Sequence, residues 1–458
     1  MTGNLFLYLE NFFKIKFKGF IYKVICTNTF VRNCYLFIKF NSLNNHENYN
    51  NKPTLALVWQ DRFNFLKQNL YDNQEFKLLL FPRIILNIGF NYYLKEYNNS
   101  INNLPLGEYC LDFYRSKKFE NQRNLYITYC ISIILFLKKR YNVTSFLLPK
   151  LNDPWSIDLI KAINICDLKL IIDDREGTNT PQRLKVVPER LRNLDIKFNL
   201  LTTQSYMHRD LFLKAGFPIE KIIVNGSIQS DYWKNKKFWK NIEQIDERIN
   251  PNLIKILFFS FGERTYMNFY YENEKRTWSL LSKDLNNVFL QVLEEFEGRI
   301  QIIYKFSDKS VRDKSRDFER FKQKSKRYID KNFLILLGGS TFSYDLMRHS
   351  DIIVGFQTSG MIEAMNTDRT ILYTAWGDLY NSIKDTLLPI ATEGCVIECR
   401  SKNEFYKKLS DCINNHLSNN SQYTFSPKAR INLVNKYFSN SDGYVAERLT
   451  NLVSEVIN

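Results

Sequence analysis

This sequence has only four histidines in 458 residues, His46, His208, His349 and His416, and they lie far apart. No His-Glu-x-x-His pattern occurs, so nothing points to a zinc hydrolase. Eight cysteines (Cys26, Cys34, Cys110, Cys130, Cys166, Cys395, Cys399 and Cys412) are scattered without a Cys-x-x-Cys pair. Most have apolar neighbours, which reads as buried reduced thiols rather than a disulfide frame. Three nucleotide and hydrolase signatures are also missing: Gly-x-Gly-x-x-Gly after a strand, Gly-x-x-x-x-Gly-Lys-Ser/Thr, and Gly-x-Ser-x-Gly. Hydride transfer, P-loop chemistry and serine hydrolysis lose their usual markers. No Asp-x-Asp metal clamp occurs, and no secretory signal is evident because lysines interrupt "NFFKIKFKGF". The most apolar run, Leu125 to Leu137, is too short to span a bilayer and reads as a buried helix.

What is present describes a folded protein of two or three domains, with 44% hydrophobic and 24% charged residues. The formal net charge of +16 suits an acidic partner: a nucleotide, an anionic membrane or a nucleic acid. A lysine-rich coding bias explains the charge equally well. Lys14, Lys16 and Lys18 alternate with Phe12, Phe13, Phe17 and Phe20, a pattern compatible with membrane contact or with an ordinary half-buried element.

From about Pro53 the chain alternates short apolar runs with amphipathic stretches. Thr54–Gln60, Phe76–Phe81, Thr144–Pro149, Leu168–Asp173, Phe198–Thr203 and Lys221–Gly226 read as buried strands. A second series follows a charged stretch: Lys255–Gly262, Ile300–Asp308, Phe333–Gly339, Asp351–Phe356 and Thr370–Trp376. The rhythm predicts an α/β protein with two Rossmann-like domains in tandem, each a parallel sheet with helices on both faces. The expected layout is an N-terminal extension over 1–50, a first domain over 51–240, a linker over 241–252, a second domain over 253–435 and a C-terminal helix over 436–458. Asn44 to Asn51 reads as a solvent loop.

Ligands of open parallel sheets sit at the carboxyl ends of the strands. In the second series those ends carry Gly262 with Arg264, Lys305 with Ser307-Asp308-Lys309, Gly338 with Gly339, and Trp376-Gly377-Asp378. The most telling segment is "SDIIVGFQTSGMIEA" (Ser350–Ala364), where Thr358, Ser359 and Gly360 stand at a strand-to-helix corner and Glu363 lies one turn in. Hydroxyls and free backbone N–H groups there suit a diphosphate, and the glutamate suits ribose hydroxyls. Plain N-capping is the structural alternative. In the first series, Asp173-Asp174-Arg175-Glu176-Gly177 places three carboxylates at one strand end. Glu176 is the candidate general base, with Asp174 in reserve, while a charged turn closed by glycine reads the segment equally well. His208, in the helix after the next strand, is another candidate, for which a solvent-facing helix position is the plainer reading.

With these residues on the page, the chain resembles the two-domain glycosyltransferases of the B fold (GT-B), and among them bacterial enzymes of capsule and lipopolysaccharide biosynthesis. The likeness rests on "SDIIVGFQTSGMIEAMNTDRTILYTAWGD", on "IIDDREG", on "IIVNGSIQSDYW" and on the tail "SDGYVAERL". It implies metal-independent transfer with no cofactor, the nucleotide-sugar being a substrate. The donor would be held mainly by the second domain, with Thr358, Ser359, Gly360 and Glu363 in the phosphate and ribose roles. A glycan or lipid-linked glycan acceptor would lie with the first domain, and Glu176 would be the base. The chain departs from the pattern in lacking a His-Pro pair after "IIYKF" and in carrying Thr-Ser-Gly for the commoner Ser-Ser or Ser-Thr. The basic surface suits a lipid-diphosphate-linked acceptor at the inner membrane face, so a cytoplasmic, peripheral protein is expected. A specific nucleic-acid partner is not expected, because it would explain none of the strand-end loops. Three rivals remain: a polyol-phosphate transferase, a nucleotide-sugar 2-epimerase, and a non-catalytic capsule assembly or export protein.

Overall fold

The computed structural model describes residues 20–43, 52–58, 64–94, 117–151, 155–175, 178–192, 194–262, 276–306, 316–338, 343–391, 394–420 and 425–458. The chain divides into two compact units. The first comprises 1–177, 186–228 and 444–458; the second comprises 178–185 and 229–443.

In the first unit six parallel strands form one sheet in the order β2-β1-β3-β4-β5-β6. They are β1 (Thr54–Leu57), β2 (Lys77–Leu80), β3 (Val143–Leu148), β4 (Lys169–Asp173), β5 (Leu200–Thr203) and β6 (Ile222–Val224). Each is short and mostly apolar because both faces are covered, the usual condition of a parallel sheet. Phe146, Leu170, Ile171 and Leu201 are fully buried, each such side chain contributing about 1.5–3 kcal/mol relative to exposure. The long helix Glu120–Tyr141 includes the apolar run and ends at left-handed Asn142. It is tied to the helix Ser156–Ile165 by a buried ion pair, Arg123 Nη2 to Asp158 Oδ1 at 2.9 Å. Burial pushes the Asp158 carboxyl up, and its contacts with Arg123 pull it back.

The helix Val445–Ile457 also belongs to the first unit. It packs on β4 and on the helix Asn64–Asp72. Val445 O accepts from Asn225 Nδ2 at 3.1 Å, and Ile457 O accepts from Lys169 Nζ at 2.9 Å.

The second unit repeats the plan with β7 (Ile254–Phe259), β8 (Ile300–Lys305), β9 (Leu334–Leu337), β10 (Ile352–Gly355), β11 (Thr370–Thr374) and β12 (Ile397–Cys399). The order is β12-β11-β10-β7-β8-β9, again all parallel. Val354 lies between Phe258 and Leu372 in register, and all three are buried. Every strand foreseen from the sequence is present; β12 is an addition. The stretch foreseen as a linker carries a short 3-10 turn, Ile242–Gln244, and lies within the second unit. The Asn44–Asn51 loop and the lysines at 14, 16 and 18 lie outside the described residues. Among those described, no helix is long and apolar enough to cross a membrane.

Candidate functional site

The winding of the second sheet reverses between β7 and β10. The chain runs outward from β7 through β8 and β9, then resumes on the other side of β7 with β10, β11 and β12. The carboxyl ends of strands at such a reversal are where open α/β sheets bind ligands. Because all six strands are parallel, Gly262, Lys305, Gly338, Thr358 and Gly377 follow or end strands on one edge. Arg264, Gly339 and the Ser307–Lys309 loop lie outside the described residues.

At the reversal, β10 ends in Gly355 and turns into the short helix Ser359–Ala364. Thr358 is its N-cap, with Oγ1 accepting from the Gly360 N–H at 3.3 Å. Ser359 and Tyr344 hydrogen-bond to the Glu363 carboxyl, which is buried. Burial is the larger influence and raises the Glu363 pKa above the ordinary glutamate value; the two hydroxyls oppose it. Two groups assigned to ligand binding from the sequence are therefore paired with one another in this structure.

Gly355 has a packing explanation. A Cβ there would lie 2.5 Å from Met361 Sδ, and Met361 is fully buried. At Gly360 an added Cβ would sit 3.4 Å from the Phe259 ring, ordinary contact. Gln357, unremarked in the sequence, pins the corner from below. Its amide nitrogen donates to the Tyr373 hydroxyl at 2.6 Å and to Leu388 O at 3.0 Å, and its carbonyl accepts from Leu388 N–H at 2.8 Å. Phe356 meets Phe261 (5.1 Å between centroids) and Trp278 (4.7 Å), giving the corner an aromatic floor. Lys305 is buried, and its ammonium donates to Phe306 O at 3.0 Å and Gly338 O at 2.7 Å. A positive charge is thus fixed at the ends of β8 and β9. Trp376 Nε1 donates to Asp284 Oδ2 at 3.1 Å, and Gly377 takes a left-handed φ of 96° before Asp378 starts a helix.

In the first unit, the acidic strand end is buried. Asp173 accepts from Thr202 Oγ1 and from Arg175 Nε, both at 2.7 Å. Asp174 accepts from the Leu151 N–H at 3.3 Å, and its Oδ1 lies 3.6 Å from His208 Nε2. His208 is fully buried, which corrects the solvent-facing expectation. Ser205 caps its helix and accepts from the His208 N–H at 3.2 Å, so the imidazole falls in the first turn, above the β4 end. Glu176 lies outside the described residues. No group of three or more His, Cys, Asp or Glu side chains among the described residues is placed to hold a metal ion.

No protein-family model matches the chain, and no curated protein matches it in sequence. Solved structures do match in fold. A Listeria monocytogenes protein bearing the name UDP-N-acetylglucosamine 2-epimerase superimposes with a TM-score of 0.52 at 12% identity, over 88% of this chain and 96% of that one. The UDP-GlcNAc 2-epimerase of Methanocaldococcus jannaschii gives 0.51 at 11% identity, over 88% and 99%. The fold is GT-B. In a GT-B chain the two Rossmann-like units follow one another in sequence, and both sheets described above conform to that plan.

Proposed function

We propose that the chain is a glycosyltransferase that takes a sugar from a nucleotide-sugar donor, with the donor bound by the second unit. One observation carries the reading: at the winding reversal of the second sheet, the Thr358–Glu363 corner, a buried carboxyl and the fixed Lys305 charge share one strand edge. The sequence resemblance to capsule and lipopolysaccharide glycosyltransferases supports it, as does the fold shared with enzymes named for a UDP-sugar.

In this reading an acceptor hydroxyl attacks the anomeric carbon and a new C–O bond forms. The bond to the diphosphate breaks, and the diphosphate leaves with the electron pair. Thr358, the exposed backbone at Gly338 and the Lys305 charge meet the developing negative charge. The proton passes to a carboxylate of the β4 loop, Asp174 or Glu176. Transfer is proposed to be metal-independent, to a glycan or lipid-linked glycan.

A second reading, nucleotide-sugar 2-epimerase, is favoured by the names of two of the proteins that share the fold. Thermal unfolding with CMP, CDP, UDP, GDP and dTDP, each with magnesium or EDTA, tests the donor site. Saturation at a hundred times Kd stabilises by about 2.7 kcal/mol, a rise of several degrees. One nucleotide raising the midpoint equally in EDTA is the expected result; no rise at millimolar concentrations defeats both readings. The matching nucleotide-sugar is then incubated without acceptor. Release of a 2-epimeric sugar or nucleotide-sugar supports the epimerase, and turnover only with added glycan supports the transferase.

A further inference from the structure

The amino ends of β11 and β12 form the edge of the second sheet opposite the Thr358 corner. A cavity of about 60 Å³ opens there, with Thr370, Ile397, Cys395, Phe425 and Arg430 among its walls. One water takes about 10–15 Å³ of such space, so an anion of four oxygens fits.

Arg430 is 3% exposed. Its Nε donates to Cys395 O and its Nη2 to Arg369 O, both at 3.0 Å, and its Nη1 donates to Thr367 O at 2.9 Å. A guanidinium carries five N–H groups, so one on each terminal nitrogen is unclaimed. Three carbonyls orient the group without neutralising it, and buried charges are ordinarily paired with an opposite charge. Among the described residues the carboxylate acting on Arg430 is Asp368, which is 84% exposed and faces Arg369 Nε at 3.4 Å. Burial outweighs that help and lowers the Arg430 pKa to about 10.

The backbone adds further positive charge. Arg430 stands in the first turn of the helix Pro427–Tyr437, which Ser426 caps and which has no acid in that turn. Lys428, in the same turn, is exposed. A helix start carries roughly half a positive charge, so a cation there is disfavoured until an anion joins it.

We propose that this cavity binds a small tetrahedral oxyanion, of the class of inorganic phosphate, through the two unclaimed Arg430 N–H groups. The site is separate from the donor corner and stands whether or not that corner takes a nucleotide-sugar.

The test is thermal unfolding of the full chain in rising inorganic phosphate, against sodium chloride of equal ionic strength. The wild-type midpoint should climb by several degrees and saturate in phosphate alone. Arg430→Gln should lose the response, but it also strips three carbonyls of donors and lowers the starting midpoint. Thr370→Glu is the second variant: its carboxylate stands against the guanidinium in place of the anion. It should fold and should raise the phosphate concentration for half effect about tenfold or more. Thr358→Ala, at the donor corner, should leave the response unchanged. No rise in the wild type at millimolar phosphate overturns the proposal. So does a rise that chloride reproduces, which is screening of the net +16 charge. A rise that Thr370→Glu leaves intact, or that Thr358→Ala abolishes, puts the anion elsewhere and overturns it as well.

Discussion

His208 Nε2 lies 3.6 Å from Asp174 Oδ1, with both side chains buried. On its other nitrogen, His208 Nδ1 accepts from the Gln204 backbone N–H at 3.5 Å. That contact assigns the neutral ring's proton to Nε2, facing the carboxylate, as in sites where a second hydrogen bond selects the tautomer. Asp174 thus faces His208 with one oxygen and accepts from the Leu151 N–H with the other. Asp174→Asn keeps the shape and removes the proton acceptor. If Asp174 is the base, kcat falls about 10²- to 10⁴-fold while the unfolding midpoint changes little. His208→Ala instead deprives a buried carboxylate of its neighbour and should cost about 1–3 kcal/mol by denaturant titration. A midpoint loss for Asp174→Asn with unaltered kcat makes the pair structural only.

Gly355→Ala should destabilise by about 1–3 kcal/mol, because the added Cβ meets Met361 Sδ at 2.5 Å in a packed interior. Shortening the opposing side chain makes room, so Gly355→Ala/Met361→Ala should cost less than the sum of the two single changes. Strict additivity in chemical denaturation would show that the contact is not the cause.

Glu363 gives a pH prediction. Its folded pKa is raised, so between its unfolded value and its folded value the native state binds more protons than the unfolded chain. Its contribution is fully present below the unfolded pKa and is lost as pH rises through the folded pKa. Glu363→Gln retains a hydrogen-bond acceptor for Ser359 and Tyr344 without titrating. The variant's unfolding midpoint relative to wild type should therefore climb as pH goes from 4 to 8. A flat difference across that range would contradict the buried-carboxyl account.

Arg430 is buried in the second unit and bridges three backbone carbonyls: Cys395 O, Thr367 O and Arg369 O, at 2.9–3.0 Å. Burial lowers its pKa to about 10, still well charged at neutral pH. Arg430→Met removes donors from three acceptors at once, at about 1–3 kcal/mol for each one left unsatisfied. Arg430→Lys is not conservative at a forked site and should rescue only part of the loss. Equal midpoints for the two variants would mean that the bridge is dispensable.

The strands were legible because parallel strands buried on both faces are continuous apolar runs, as Ile352–Ile353–Val354 shows. β12 was not, being three residues long with Ile397 and Glu398 only half-buried. The Thr358 cap could be read from local spacing, and so could the i,i+4 relation of Ser359 to Glu363. The Asp174–His208 pair could not. It depends on β4 and β5 aligning Asp173 with Thr202, a register that no single segment encodes. Gly355 could be read as special, but its reason lies in where Met361 folds back.

The helix Val445–Ile457 completes the first unit although all of 229–443 is threaded between it and Ile228. On a ribosome, the first unit's strands emerge long before that helix does. Until it arrives, β4 and the Asn64–Asp72 helix lack the apolar cover it supplies. The amino-terminal half must then wait, partly bare, while the carboxyl-terminal half is synthesised. Maturation should follow the reverse of vectorial order, the second unit closing first. A nascent chain stalled before Val445 should show a protease-resistant second unit joined to a still-cleavable first one.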